Sequence, residues 1–151
     1  MAMENASIDY DGTLSGKVMQ FARIVERLVP KAKEPGFTEA DWAPLTELVA
    51  TEEFERVGIW REVMNWQQFI DFQMQFATSK GFETTLQRVT EVANTVFYEI
   101  EERHLTDGKV NVVDSMNVFE FNDEQKIRHM DIYVRGKVEP SIPFEAMHFR
   151  E

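Results

Sequence analysis

The sequence predicts an α+β domain in which three N-terminal helices pack on one face of a curved, mainly antiparallel sheet. Three observations predict it. Apolar residues recur at helical spacing as far as Gly81, they alternate with polar residues from Phe82 onward, and tight-turn sequences punctuate the second half. Helices followed by a meander of strands give an α+β order, because each element must bury its apolar side against the other kind.

Each element has its own signature. From Leu14, the positions Val18, Phe21, Ala22, Val25, Leu28 and Val29 form one helical face, which Pro30 and then Pro35-Gly36 bring to an end. Thr38 with Asp41 three residues on is a capping box for a second helix, whose buried face is Trp42, Leu45, Leu48 and Val49. Residues 54–59 alternate as a short first strand. Asn65 with Gln68 caps a third helix, closed by Lys80-Gly81. Its two apolar stripes, Trp66, Ile70, Met74, Ala77 and Phe69, Phe72, Phe76, describe a helix held between neighbours. Residues 82–92, 96–105, 110–121 and 127–134 then read as four strands. Asp107-Gly108 and the stretch Asn122 to Gln125 provide the hairpin turns between the last three. The organisation is a lead-in over 1–13, a single domain over 14–135 and an irregular tail over 136–151.

Composition narrows the function. At 151 residues the chain can bury one sizeable core, and its 12 Phe and 3 Trp suit a packed interior or an apolar pocket wall. The absence of cysteine excludes disulfides, thiolate metal sites and a cysteine nucleophile, and it fits a reducing compartment. A net charge of −11 repels phosphate, so neither nucleic acid nor an anionic membrane is expected as a partner. The first twelve residues lack the basic start and apolar stretch of a signal peptide, and no apolar run reaches the roughly 20 residues of a membrane span. A soluble, cytoplasmic protein is expected. The 3 His show neither HExxH nor His-x-His spacing, so no metal is expected, and no cofactor is implied.

The element order, with Phe119-x-Phe121, the turn Asn122 to Gln125, Lys126-Ile127 and Tyr133, resembles the nuclear-transport-factor-2-like or SnoaL-like superfamily. That superfamily includes ketosteroid isomerases, limonene epoxide hydrolases, polyketide cyclases and many members of unknown activity. The resemblance covers roughly residues 14–134 and implies a cone with an internal cavity. It identifies a fold rather than a reaction.

Laid over a ketosteroid isomerase, the chain puts Asn117 at the oxyanion-hole aspartate, Val57-Gly58 near the catalytic base and Ile24 near the helix-one tyrosine. No carboxylate stands at 57–58, so steroid isomerisation is not expected. Ile132 in Asp131-Ile132-Tyr133 replaces the pocket aspartate of the epoxide hydrolases. The cyclases use a pocket carboxylate, which leaves Glu102.

Because side chains alternate along a strand, the same overlay assigns Tyr98, Ile100, Glu102 and His104 to the cavity. Val113, Ser115, Asn117 and Phe119 follow from the next strand, Met130, Ile132 and Val134 from the last, and Phe72 closes the top. The implied ligand is small and hydrophobic. Glu102, His104 and Asn117 are the catalytic candidates, while Tyr98, Ile100, Ser115, Phe119, Met130, Ile132 and Phe72 are the ligand-binding candidates. Glu102 and His104 read either as an acid/base pair or as solvated rim charges, and the rim reading has the greater weight. Asn117 reads equally as an oxyanion donor or as an amide paired with a neighbour. The opposite parity, with Glu99, Glu101, Arg103, Asp114, Met116, His129, Asp131 and Tyr133, suits a homodimer interface or plain exposure. Arg56 and Arg61 read as an anion clamp or, with more weight, as balance for the acidic surface. Trp60, Trp66 and Phe69 read as a ligand platform or, with more weight, as core packing.

Overall fold

The computed structural model describes residues 13–76, 82–106 and 108–136. Ala77, Lys80, Gly81 and Asp107, with most of the lead-in and nearly all of the tail, lie outside the described residues.

Helix α1 (Leu14–Leu28) starts where Thr13 accepts a hydrogen bond from the Gly16 N–H, at 3.0 Å. Its buried face is Val18, Met19, Phe21, Ile24 and Leu28, while Ala22 and Val25 are half-buried at its margin. The second helix is shorter than its apolar spacing suggests. A 3-10 turn over Glu39–Trp42 leads into α2 (Ala43–Thr46). The Thr38 N–H donates to Asp41 at 2.7 Å. Trp42, Leu45 and Val49 are nonetheless buried. Helix α3 (Trp66–Phe76) begins with reciprocal bonds, the Gln68 N–H to the Asn65 side chain and the Asn65 N–H to the Gln68 side chain, each 2.9 Å.

Six strands form one sheet in the order β2-β1-β6-β5-β4-β3. They are β1 (Glu55–Val57), β2 (Val63–Met64), β3 (Phe82–Val92), β4 (Thr95–Thr106), β5 (Lys109–Phe121) and β6 (Ile127–Gly136). The two-residue β2 has no counterpart in the sequence reading, being too short to alternate. All neighbours are antiparallel except β1 and β6, which run parallel. Register shifts between Leu86 and Arg88 and between Glu120 and Phe121 bend the sheet.

The helices pack against the concave face of the sheet. Phe119 packs edge-on against Phe21 of α1, centroids 5.5 Å apart, and Phe21 in turn stacks near Phe69 of α3. Phe54, Trp66 and Phe69 extend this cluster. Side chains from α1 also hem the free edge of the sheet. Glu26 accepts from the Thr84 N–H at 2.9 Å, and Ser15 donates to Glu91 at 2.7 Å. An edge strand otherwise presents unpaired backbone groups.

Candidate functional site

Strand register puts one parity of side chains in the hollow. Tyr98 stands opposite Asn117, Ile100 opposite Ser115, Asn117 opposite Ile132 and Phe119 opposite Met130. Tyr98, Ile100, Ser115, Phe119 and Met130 are buried, whereas Asn117, Ile132 and Phe72 are half-buried. The Ser115 hydroxyl lies 3.5 Å from the Asn117 amide oxygen, a long contact that leaves the Asn117 amide hydrogens to other acceptors. Val134, in register with Ser115, is exposed.

The β4 end of this face beyond Ile100 carries the charges. Glu102 keeps 20% and His104 32% of its side chain exposed, and His104 Nε2 stands 3.9 Å from Glu102. Glu102 is therefore withdrawn from water further than a solvated rim charge. Arg56 joins it from β1, in register with Met130 and so on the same face. Its side chain is 13% exposed, its guanidinium lies 5.1 Å from the Phe72 ring centroid, and Nη1 approaches Met64 Sδ at 3.8 Å. Burial lowers its pKa from the ordinary arginine value, against the opposing pull of Glu62 and Glu102. This placement overturns the reading of Arg56 as surface balance. Arg61 is exposed and takes a positive φ of 67° in the turn.

Glu62 is the residue that sequence reasoning missed. The β1–β2 turn is closed by Gly58 N–H to Glu62 C=O and by Arg61 N–H to Gly58 C=O, both 2.9 Å. One Glu62 oxygen accepts from the Trp60 N–H at 2.9 Å, and the other lies 3.8 Å from Arg56 Nη1. A side chain at Gly58 would place its Cβ 1.7 Å from that second oxygen. The carboxylate thus fills the space that a residue at 58 would otherwise occupy, on the same side as Arg56. Position 57–58 lacks a carboxylate in sequence, yet the turn folds one over it. Trp60, at the tip, is 83% exposed and does not belong to the core with Trp66 and Phe69.

The other side of the sheet is a field of pairs. Arg88 grips Glu99 with two nitrogens, Arg103 meets Glu101 at 2.9 Å, and Arg135 meets Asp114 at 3.0 Å. These hydrogen bonds, from Arg88 and Arg135, hold Glu99 and Asp114 below their ordinary pKa values. His129 bridges Glu55 and Asp131 at 3.0 and 2.9 Å. An open depression of about 220 Å³ lies here, bordered by Gln87, Glu99, Met116 and Tyr133. Neither Arg56 nor Glu102 borders it, although Ser115 and Val134 do. Among the described residues, no group of His, Cys, Asp and Glu is arranged to hold a metal, and no helix is long and apolar enough to cross a membrane.

Helices packed on a bent six-stranded sheet define the cone-shaped α+β fold of SnoaL-like and nuclear-transport-factor-2-like proteins. Solved structures carry the same fold. A nuclear-transport-factor-2-like protein from Anabaena variabilis superposes with a TM-score of 0.64 at 15% identity, covering 87% of this chain and 96% of its own. A protein of ketosteroid-isomerase-like fold from Catenulispora acidiphila, solved with trimethylamine, gives 0.59 at 13% identity, with 78% and 83% covered. An LEH-like epoxide hydrolase of M. tuberculosis gives 0.58 at 11% identity, with 79% and 83% covered. No family model and no curated protein matches the sequence.

Proposed function

We propose that this is a small-molecule-binding protein whose ligand occupies the hollow between the sheet and α3. The observation that carries this reading is the Arg56–Glu102 end of an otherwise apolar face. Withdrawing a guanidinium and a carboxylate from water is costly, and packing alone would favour apolar residues there. Ile100, Phe119, Met130, Ile132 and Phe72 supply apolar wall, with Tyr98 and Ser115 among them. Glu102, His104 and Asn117 face the ligand's polar group. In the catalytic form of the proposal Glu102 moves a proton in an isomerase, hydrolase or cyclase reaction on a hydrophobic substrate, and Asn117 donates to the substrate oxygen. The trimethylamine held by the Catenulispora acidiphila protein supports a ligand-holding role for the fold.

A non-catalytic binding protein is the second reading, favoured by Ile24, which is buried near the position of a catalytic tyrosine in the isomerases. Native mass spectrometry of the purified protein, followed by turnover assays on whatever co-purifies, separates the two. Under the catalytic reading Glu102→Gln abolishes turnover and leaves the melting temperature within a few degrees of wild type. Unchanged turnover in that variant removes Glu102 from the chemistry.

The paired face is proposed as a homodimer interface, because Met116, Val112 and Tyr133 leave apolar surface among the ion pairs.

A further inference from the structure

We propose that Arg56 anchors the carboxylate of a hydrophobic acid, and that Glu62 occupies the carboxylate's place until the ligand arrives. The inference rests on the ligand-binding reading above and names the class of ligand.

A guanidinium offers five N–H donors and no acceptor, so whatever completes its shell must bring acceptor atoms. Among the described residues the Arg56 contacts are poor ones. A thioether sulfur stands at 3.8 Å and the Glu62 oxygen at 3.8 Å, well beyond the roughly 2.7–2.9 Å of a charge-assisted hydrogen bond. The Phe72 ring covers one side of the group, and its planar fork suits two parallel bonds to a carboxylate.

Of the two partners, Glu62 is the one free to leave. Its side chain is 37% exposed against 13% for Arg56, and its other oxygen already rests on the Trp60 N–H in the turn. Its carboxylate is seated above Gly58 because that residue lacks a Cβ, the hydrogen bond between the two residues being made by the Glu62 backbone C=O. Arg56 is fixed by its strand and by Phe72. An exchange therefore trades a long contact for short ones, and the displaced carboxylate turns to water. The neighbours on the same face, Met130, Ile132 and Phe72, make the rest of the ligand apolar. A cationic amine would have to enter beside the guanidinium, where like charges repel; Glu102, which also acts on Arg56, repels an acid in turn, so the ligand carboxylate takes the Glu62 side of the guanidinium.

The test is isothermal titration of the full chain with phenylacetate, 4-phenylbutyrate and decanoate, each paired with its neutral amide. The expected result is that at least one acid binds roughly tenfold or more tightly than its amide, the effect of charge-assisted bonds. Arg56→Gln erases that difference. Glu62→Gln tightens the acid severalfold and leaves the amide unchanged, because it removes the competing charge. The Glu62 variant keeps the test decisive even if Arg56→Gln does not fold.

Acid and amide binding alike, a preference that survives Arg56→Gln, or weaker acid binding in Glu62→Gln each overturns the proposal. Amides that bind where acids do not would overturn it while leaving the ligand-binding reading in place. If no acid and no amide binds, the proposal falls, and the ligand-binding reading is decided by the native mass spectrometry above.

Discussion

Glu26 carries a pH signature. Burial raises its pKa above the ordinary glutamate value of 4.5, although the Thr84 bonds pull the other way. A group whose proton is held more tightly in the folded state adds stability that is fully present below the ordinary value. That contribution is lost as pH climbs through the raised one. Glu26→Gln removes the titration and still offers Thr84 an oxygen. Its melting temperature should therefore gain on wild type as pH is raised from 4 to 8, read by calorimetry across that range. Glu26→Ala leaves the Thr84 N–H without this acceptor and should cost about 1 kcal/mol at low pH, and less as the pH rises. At the same scale, the shared face of Tyr98, Glu102, Ser115 and Asn117 was legible because a strand has a period of two, while which parity meets the cavity came from the family resemblance. Glu62 was not legible. Its return over Gly58 depends on a positive φ at Arg61, a turn geometry without periodic trace. Gly58 itself has no positive φ, so Gly58→Ala should shift Tm only slightly while pushing the Glu62 carboxylate aside, which a crystal structure of the variant would reveal.

Elements were legible in proportion to their length. The four long strands appear within a residue or two of the expected bounds, since ten or more alternating residues outvote any local exception. The second helix was over-read, because the spacing of Trp42, Leu45 and Val49 persists through a 3-10 turn and a single α turn. Capping signatures fared better, as they are local chemistry. Asn65→Ala removes half of the reciprocal pair at the start of α3 and should cost about 1 kcal/mol in urea unfolding. The turn between β5 and β6 depends on Asn122, whose side-chain oxygen accepts from the N–H groups of Glu124 and Lys126, both at 3.0 Å. Its amide reaches Glu53 at 3.2 Å. Asn122→Ala should destabilise by about 1–2 kcal/mol, and an unchanged urea midpoint would show water replacing all three bonds.

On the scale of the molecule, assembly is the property most open to a direct check. Light scattering at micromolar concentration should give twice the chain mass. Replacing both Met116 and Tyr133 with lysine should return it to the monomer with little loss of secondary structure. A wild-type monomer would mean that the ion pairs of this face are merely solvated. The charge-rich composition spoke to which partners are disfavoured and was silent on the interior, where Arg56 came to rest. That residue needed the parallel pairing of β1 with β6, a contact between distant parts of the chain, before its side could be known.

The same pairing has a kinetic consequence. Strands β3 to β6 are joined hairpin by hairpin, so each can zip onto its predecessor over a short loop. Strand β1 must instead find β6 across the whole intervening chain, Glu55 meeting His129 at a separation of 74 residues, with three pairs in register once it arrives. Closing so long a loop for so few bonds places this step late in folding. By the same reasoning, amide hydrogens along residues 55–57 should exchange with solvent earlier than those of β4 and β5. The ligand's anchor would then sit on the part of the sheet that is last to form and first to loosen. An occupied site would slow exchange along β1 more than anywhere else in the molecule.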